Sequence, residues 1–398
     1  MRALIASLAH FCDSHGGVQR VVQDEAIELR DRGWEVWVIA AGKGPQSEHE
    51  LSDGIHLLRY VPQQVSPWNP ARRFVHQRAA SAVLARHLPK IDAVHGHAPL
   101  SYLAAIDLYG RHVPRCYTLQ SPVRMEMAIV WRNSGFFRRL VSPIALAALH
   151  DIEEECVRRS NVLTALSQFT IDCVAKVHSP QMARRFRVTP AWCETSKYIP
   201  IEDRARAKRE LGWPTDIPVL FTLRRLVPRM GLDRLLIACS LLHRQGVPFH
   251  MMIGGAGPLR AALEEQARQL GLSLRVSFLG RIDDQLLPMA YGACDAFLLP
   301  TAELECFGLI ALEALASGRP VLATPVGSIP EIMSRFESGW LSRSAGAEDF
   351  ADLMRSYFSG TLPEHTSAEL HERTHREYGR WKLLPAFVDS TFGALFRN

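Results

Sequence analysis

The chain has 398 residues, of which 47% are hydrophobic and 22% charged, and carries a formal net charge of +5. That length suits two domains with separate cores, and the composition excludes a disordered or fibrous chain. So small a positive balance argues against a nucleic-acid binder while favouring phosphorylated or anionic ligands.

The chain opens with a strand over Ala3–Ser7, a loop from His10 to Gly17 and a helix from Val18 to Arg32. Val18, Val21, Val22, Ala26 and Leu29 fall on one face of that helix, and Gly33 stops it. Glu35–Ala40 follows as a strand, which completes a βαβ unit, the opening of a doubly wound domain. Further strands are expected at Ala93–His95, Arg115–Thr118 and Val162–Ala165, with helical patterns between them, the longest from Phe136 to Arg159.

A linker is expected within Ile199–Asp216. Beyond it the alternation resumes with strand Val219–Leu223, helix Leu232–Gln245, strand His250–Ile253, helix Leu259–Leu270, strand Val276–Leu279 and helix Gln285–Gly292. Strand Ala296–Pro300, a helix after Gly308 and strand Val321–Thr324 complete it. The predicted organisation is two Rossmann-like α/β domains, 1–200 and 201–370, facing across a deep cleft. A helical tail, 371–398, has the first domain as one place to return to. No apolar run approaches the ~20 residues that span a bilayer, and the first residues run straight into a strand, so a cytoplasmic protein is expected. The eight Cys show no CxxC and no compact Cys/His framework, as expected of reduced thiols.

Five groups of residues could carry chemistry. Glu305 and Glu313 stand eight residues apart around Phe307-Gly308-Leu309, where a strand turns into a helix. A helix start presents free N–H groups and a positive dipole end to an anion. Carboxylates only accept hydrogen bonds, so the pair suits a phosphate flanked by sugar hydroxyls. Gly16-Gly17, after His15, allow close approach of a phosphate to the first helix; GxGxxG is absent, and no acidic residue ends the second strand, which disfavours a nicotinamide dinucleotide. The run Arg224-Arg225-Leu226-Val227-Pro228-Arg229-Met230-Gly231 leaves a strand end, and its guanidinium groups suit a diphosphate, with Arg225 the first choice. His95-Gly96-His97 ends another strand; no third ligand is patterned nearby, so no metal is expected, and a hydroxyl contact suits it better. Two Gly turns, Gly254–Pro258 and Gly327–Glu331, also follow strands. Lastly, Arg132, Arg138 and Arg139 around Phe136-Phe137 could touch an anionic membrane weakly. Taken singly, each group has a plainer reading as a tight turn or a solvated charged face.

Taken in order, these residues resemble the retaining family 4 glycosyltransferases of GT-B fold, over nearly the whole chain. The resemblance adds Gly-Leu-Asp at 231–233, Phe-Leu-Gly at 278–280 and Pro330-Glu331 to the groups above. It implies transfer of a sugar from a nucleoside-diphosphate sugar, a UDP-sugar or alternatively a GDP-sugar, to a hydroxyl of a glycan, lipid-linked sugar or small natural product. No metal or other cofactor is implied. Glu305 would hold the sugar hydroxyls, the backbone at Phe307, Gly308 and Leu309 the sugar or distal phosphate, and Glu313 the ribose. Arg225 would hold the diphosphate, with Arg229 and Gly255 in the same site and Arg281 near the base. Gly16 and Gly17 would close on the phosphates, and His97 would sit by the reacting sugar. The inner face of a membrane is a second expected location.

Three departures stand out. Met230 occupies the place of the family's usual Lys, a second cation on the diphosphate worth roughly 1.5–3 kcal/mol. Arg229 or Arg224 could substitute, and Met230→Lys is expected to tighten nucleoside diphosphate binding. Tyr198–Glu202 lacks the Gly of a common turn, and Gln120 stands where a His often follows the strand. The alternatives are a non-catalytic sugar-nucleotide or glycan-binding subunit, for which Met230 speaks, and a sugar-nucleotide epimerase, for which no acid–base set is found.

Overall fold

The computed structural model describes residues 1–12, 16–42, 48–62, 72–88, 90–132 and 136–396, with residues 72 and 136–141 described by backbone alone. His15, most of the 61–74 loop and the side chains of Phe136, Phe137, Arg138 and Arg139 lie outside that description. The chain divides into two compact units, Met1–Ala191 with Leu383–Asn398, and Trp192–Lys382.

The first unit is built on strands β1 (Arg2–Ala6), β2 (Glu35–Ala41), β3 (His49–Ser52), β4 (Ile55–Tyr60), β5 (Ala93–Gly96), β6 (Arg115–Leu119), β7 (Val162–Ala165) and β8 (Phe186–Val188). Their order is β3-β4-β2-β1-β5-β6-β7-β8, and only the β3–β4 pairing is antiparallel. β5 and β6 are buried throughout, as strands covered on both faces must be. The sequence did not announce β3, β4 or β8. β3 is a polar edge strand, β8 has three residues, and β4 carries a buried charge, Arg59, whose Nη1 donates to Glu50 Oε2 at 2.7 Å.

The second unit holds β9 (Val219–Leu223), β10 (His250–Gly254), β11 (Val276–Gly280), β12 (Ala296–Leu299) and β13 (Val321–Ala323), all parallel in the order β11-β10-β9-β12-β13. The stretch expected as linker contains the helix Arg204–Glu210, whose Lys208 Nζ donates to Asp295 Oδ2 at 2.7 Å. The division falls earlier, before Trp192, because Cys193 bridges to Gly379 and accepts from Arg380 N at 3.0 Å.

The tail is likewise split. Helix Ser367–Tyr378 belongs to the second unit, whereas the chain from Leu383 belongs to the first. There Phe387 and Phe392 lie 5.8 and 5.7 Å from the His95 ring, Phe392 packs edge-on against Trp34, and Asp389 pairs with Arg32 Nη1 at 2.6 Å. All eight Cys are free thiols, buried except Cys12. Among the described residues no helix is long and apolar enough to cross a membrane.

Candidate active site

Because the second sheet is all parallel, the C-terminal ends of its strands share one edge. Its strand order reverses between β9 and β12, and loops that leave such neighbours in opposite directions open a crevice for ligands. Arg224 follows β9 and Glu305 follows β12, one on each side of that switch.

β9 is buried along nearly its whole length, and in the loop that follows Arg224 and Leu226 are buried while Arg225 is exposed. The backbone keeps to the ladder as well, with Arg224 N donating to Gly254 O and Leu226 N to Ala256 O, both at 3.0 Å. The buried guanidinium is therefore that of Arg224, whereas Arg225, the expected ligand, is exposed. Arg224 Nη2 donates to Glu305 Oε2 at 2.8 Å and Thr301 Oγ1 at 2.9 Å, and sits 2.7 Å from Met230 Sδ. Its side chain is 2% exposed and that of Glu305 15%. Burial pulls the Arg224 pKa down, and the Glu305 carboxylate opposes that shift.

Glu305 is held from both sides. Its carbonyl accepts from Ser328 N at 2.8 Å and Ser328 Oγ at 3.1 Å, which gives the Gly327–Glu331 turn a structural part. Leu304, just before it, has φ 53°, a strained left-handed conformation for a branched residue. Arg229 Nη1 donates to the Leu304 carbonyl at 2.8 Å, so this candidate braces the Glu305 loop. Gly308 then adopts φ 89° and opens the helix Leu309–Ala316, whose first N–H groups receive no side-chain cap. Phe307 is buried edge-on to Tyr378, so its ring is a core anchor, whereas Leu309 is half-buried. Glu313 is buried in the same helix, and the Tyr291 hydroxyl donates to its Oε2 at 2.7 Å.

Gly255 serves the site through backbone packing. At φ 115°, an added Cβ would lie 1.8 Å from the Arg224 carbonyl, while Gly255 N donates to Gly280 O at 2.7 Å. Arg281, exposed beyond Gly280, is thereby placed one strand along the same edge. Gly255→Ala is expected to cost about 1–3 kcal/mol, from strain at that conformation plus displacement of the Arg224 loop. Urea unfolding measures it, and an unchanged midpoint would show that the loop can yield.

In the first unit, β1 and β5 flank the corresponding switch, and His97 N donates to Ala6 O at 2.8 Å. Gly16 is extended at φ −173° and precedes the helix Gly17–Asp31. The His-x-His pair does have a third partner, contrary to expectation, since Glu25 reaches it from that helix. His97 Nε2 donates to Glu25 Oε2 at 2.7 Å, and His95 Nδ1 donates to Oε1. The other nitrogens accept from Gln120 Nε2 at 2.8 Å, for His97, and from Thr118 Oγ1 at 2.7 Å, for His95. Both ring nitrogens of His97 are thus committed within the protein, and a substrate hydroxyl would have to displace Gln120 or Glu25. Burial alone would raise the Glu25 pKa, but the two imidazoles beside it hold its carboxyl down to about 2.

Comparison with known proteins adds to this geometry. The model of "Glycosyltransferase Family 4" matches residues 15–196, and that of "Glycosyl transferases group 1" matches 203–375. A D-inositol 3-phosphate glycosyltransferase of Corynebacterium urealyticum is 28% identical over 91% of this chain and 89% of its own. Sucrose-phosphate synthase from Thermosynechococcus elongatus superposes with a TM-score of 0.81 at 19% identity, covering 99% of each chain. HepE from Anabaena, in complex with UDP and glucose, superposes with a TM-score of 0.73 at 17% identity over 98% of this chain and 99% of its own.

Proposed function

The chain belongs to the glycosyltransferases of GT-B fold, and from that premise we propose that it moves a sugar from a nucleoside-diphosphate sugar to a hydroxyl acceptor, with retention and without a metal ion. The observation that carries this reading is the state of Glu305. Its bonds to Arg224 and Thr301 both use Oε2, which leaves Oε1 for a sugar hydroxyl beside an uncapped helix start. Glu313 is assigned to the ribose, Arg229 and Gly255 to shaping the loops, Arg281 to the base, and the Gly308 turn to the phosphate. A UDP-sugar is favoured, in keeping with the neighbour that holds UDP.

In the step itself the bond from the anomeric carbon to the diphosphate breaks, and its electron pair goes to the departing phosphate oxygen. The acceptor oxygen bonds that carbon from the same face, and its proton passes to the phosphate oxygen. The enzyme must neutralise the leaving group and orient both partners, which fixed cations and a helix end can do. The acceptor is proposed as a glycan, a lipid-linked sugar or a small natural product.

The test is thermal shift against UDP, GDP, ADP and TDP, with and without Mg²⁺. UDP at about 100 times its Kd is expected to add ~2.7 kcal/mol of stability, independent of Mg²⁺. No shift with any nucleotide would replace the enzyme reading by the non-catalytic one.

A further inference from the structure

We infer that His150, Glu154 and His178 form a binding site for a zinc ion, which ties the end of one helix of the first unit to the side of another. The site takes no part in the sugar-transfer step above and is tested apart from it.

Among the described residues, two groups of imidazoles and carboxylates are tight enough to share an ion, and they differ in what their atoms already do. In Glu25, His95 and His97 every ring nitrogen has a partner within the protein, so that group is complete by itself. In His150, Glu154 and His178 the ring nitrogens are unspent. Each residue offers one ligand atom, and the three lie within 4.8 Å of one another. Nδ1 of both imidazoles is buried with no hydrogen-bond partner. Their Nε2 atoms face carboxylates at distances too long for good hydrogen bonds, 3.5 Å from His150 to Glu154 Oε2 and 3.8 Å from His178 to Glu153 Oε2. Glu153 is engaged elsewhere, since its Oε1 accepts from Val123 N at 2.5 Å and its Oε2 from Arg124 N at 3.4 Å. The His178 side chain is nonetheless only 4% exposed. Buried polar atoms are nearly always paired, so two unpaired ring nitrogens in one cluster mark the place of an absent partner.

The backbone brings the three together by simple means. His150 and Glu154 stand four residues apart on the helix Phe136–Arg159, which places them on one face, a turn apart. His178 closes the helix Gln168–Val177, its N–H donating to Val174 O at 2.9 Å, so its backbone is fixed. Two imidazoles and one carboxylate are a ligand set that suits zinc, with water in the fourth position. Bonds of about 2.0–2.2 Å set tetrahedral ligand atoms roughly 3.3 Å apart. His150 Nε2 and Glu154 Oε2, at 3.5 Å, already meet that spacing, and His178 has to close on them. Imidazole coordinates in the plane of its ring, whereas these two rings stack at 4.3 Å with planes 16° apart. Binding therefore turns them out of the stack. The Glu154 side chain, 41% exposed, leaves the ion a way in from solvent.

The experiment is titration of the full chain, stripped of metal with a chelator, with Co²⁺ and then with Zn²⁺. Co²⁺ should raise the visible absorption bands of a four- or five-coordinate ion, and Zn²⁺ should abolish them by displacement. Calorimetry with Zn²⁺ should show a site weakened about tenfold or more in His150→Gln and in His178→Gln, and about threefold or more in Glu154→Gln. His87→Gln removes another imidazole–carboxylate pair, 2.8 Å from Glu48, and should leave the affinity within about twofold of wild type. His178 is buried, so its replacement could disturb folding; His150, with its side chain 29% exposed, gives the same reading without that risk. Absence of the Co²⁺ bands would overturn the inference, the unpaired nitrogens then being served by water. So would Zn²⁺ affinity in His150→Gln equal to that of the wild type, which would place the ion elsewhere.

Discussion

Glu305→Ala is expected to lose about 3–5 kcal/mol of stability in addition to its turnover. Removing one partner of a buried ion pair leaves the other charge uncompensated, which costs that much when the survivor cannot reach water. Arg224, 2% exposed, is such a survivor. Thr301 Oγ1 remains as an acceptor at 2.9 Å but carries no charge. Glu305→Gln keeps an oxygen for Nη2 and should cost less than half as much, yet it still loses the charge that steers the guanidinium. Urea unfolding of both variants, set beside their transfer rates, separates stability from chemistry. If Glu305→Ala unfolds within ~1 kcal/mol of wild type, the Arg224 side chain escapes to solvent and the pair is not a fixed element of the site.

The first unit should lose about 3 kcal/mol on acidification through the loss of Glu25's charge. Its carboxyl is held at about 2 in the fold against an ordinary value of 4.5. The folded pKa is the lower one, so the stabilisation is complete above pH 4.5 and disappears as pH falls through about 2. His95 acts in the same sense. Burial lowers its pKa against the pull of Glu25, so protonation from near pH 6.5 downward also favours unfolding. Glu25→Gln should remove the Glu25 part of this slope, while the His95 part, no longer opposed by the Glu25 charge, should persist or grow. Stability measured from pH 7 to pH 3 reads the difference. An equally steep slope in Glu25→Gln would mean that other carboxylates carry the acid sensitivity.

The strand–turn–helix around Glu305, Gly308 and Glu313 was legible because it is local: an apolar run, a Gly and a helical period lie within twenty residues. What sequence could not resolve was which of two adjacent Arg after β9 is buried against Glu305. Tyr291 gave no signal at all, since packing between helices brings it to Glu313, and Thr301, though only four residues before Glu305, stands in a loop with no period to place it. Glu25 did leave a trace. It sits among Val21, Val22, Ala26 and Leu29 on the buried face of its helix, where an acidic residue needs a partner. The pairing of β3 with β4 was hidden by their polar and charged residues, and the early boundary at Trp192 by a bridge spanning almost the full second unit.

The passage of residues 383–396 back to the first unit bears on how the protein is made. Phe387 and Phe392, which pack on the His95 ring, leave the ribosome only after the whole of the second unit. During synthesis the N-terminal sheet must therefore wait, with the face over His95 uncovered, while the whole of the second unit is translated. The second unit's elements are contiguous in the chain and face no such delay. Synthesis of the segment from Leu383 thus works as a late checkpoint, since a chain cut short before it leaves the first unit unfinished.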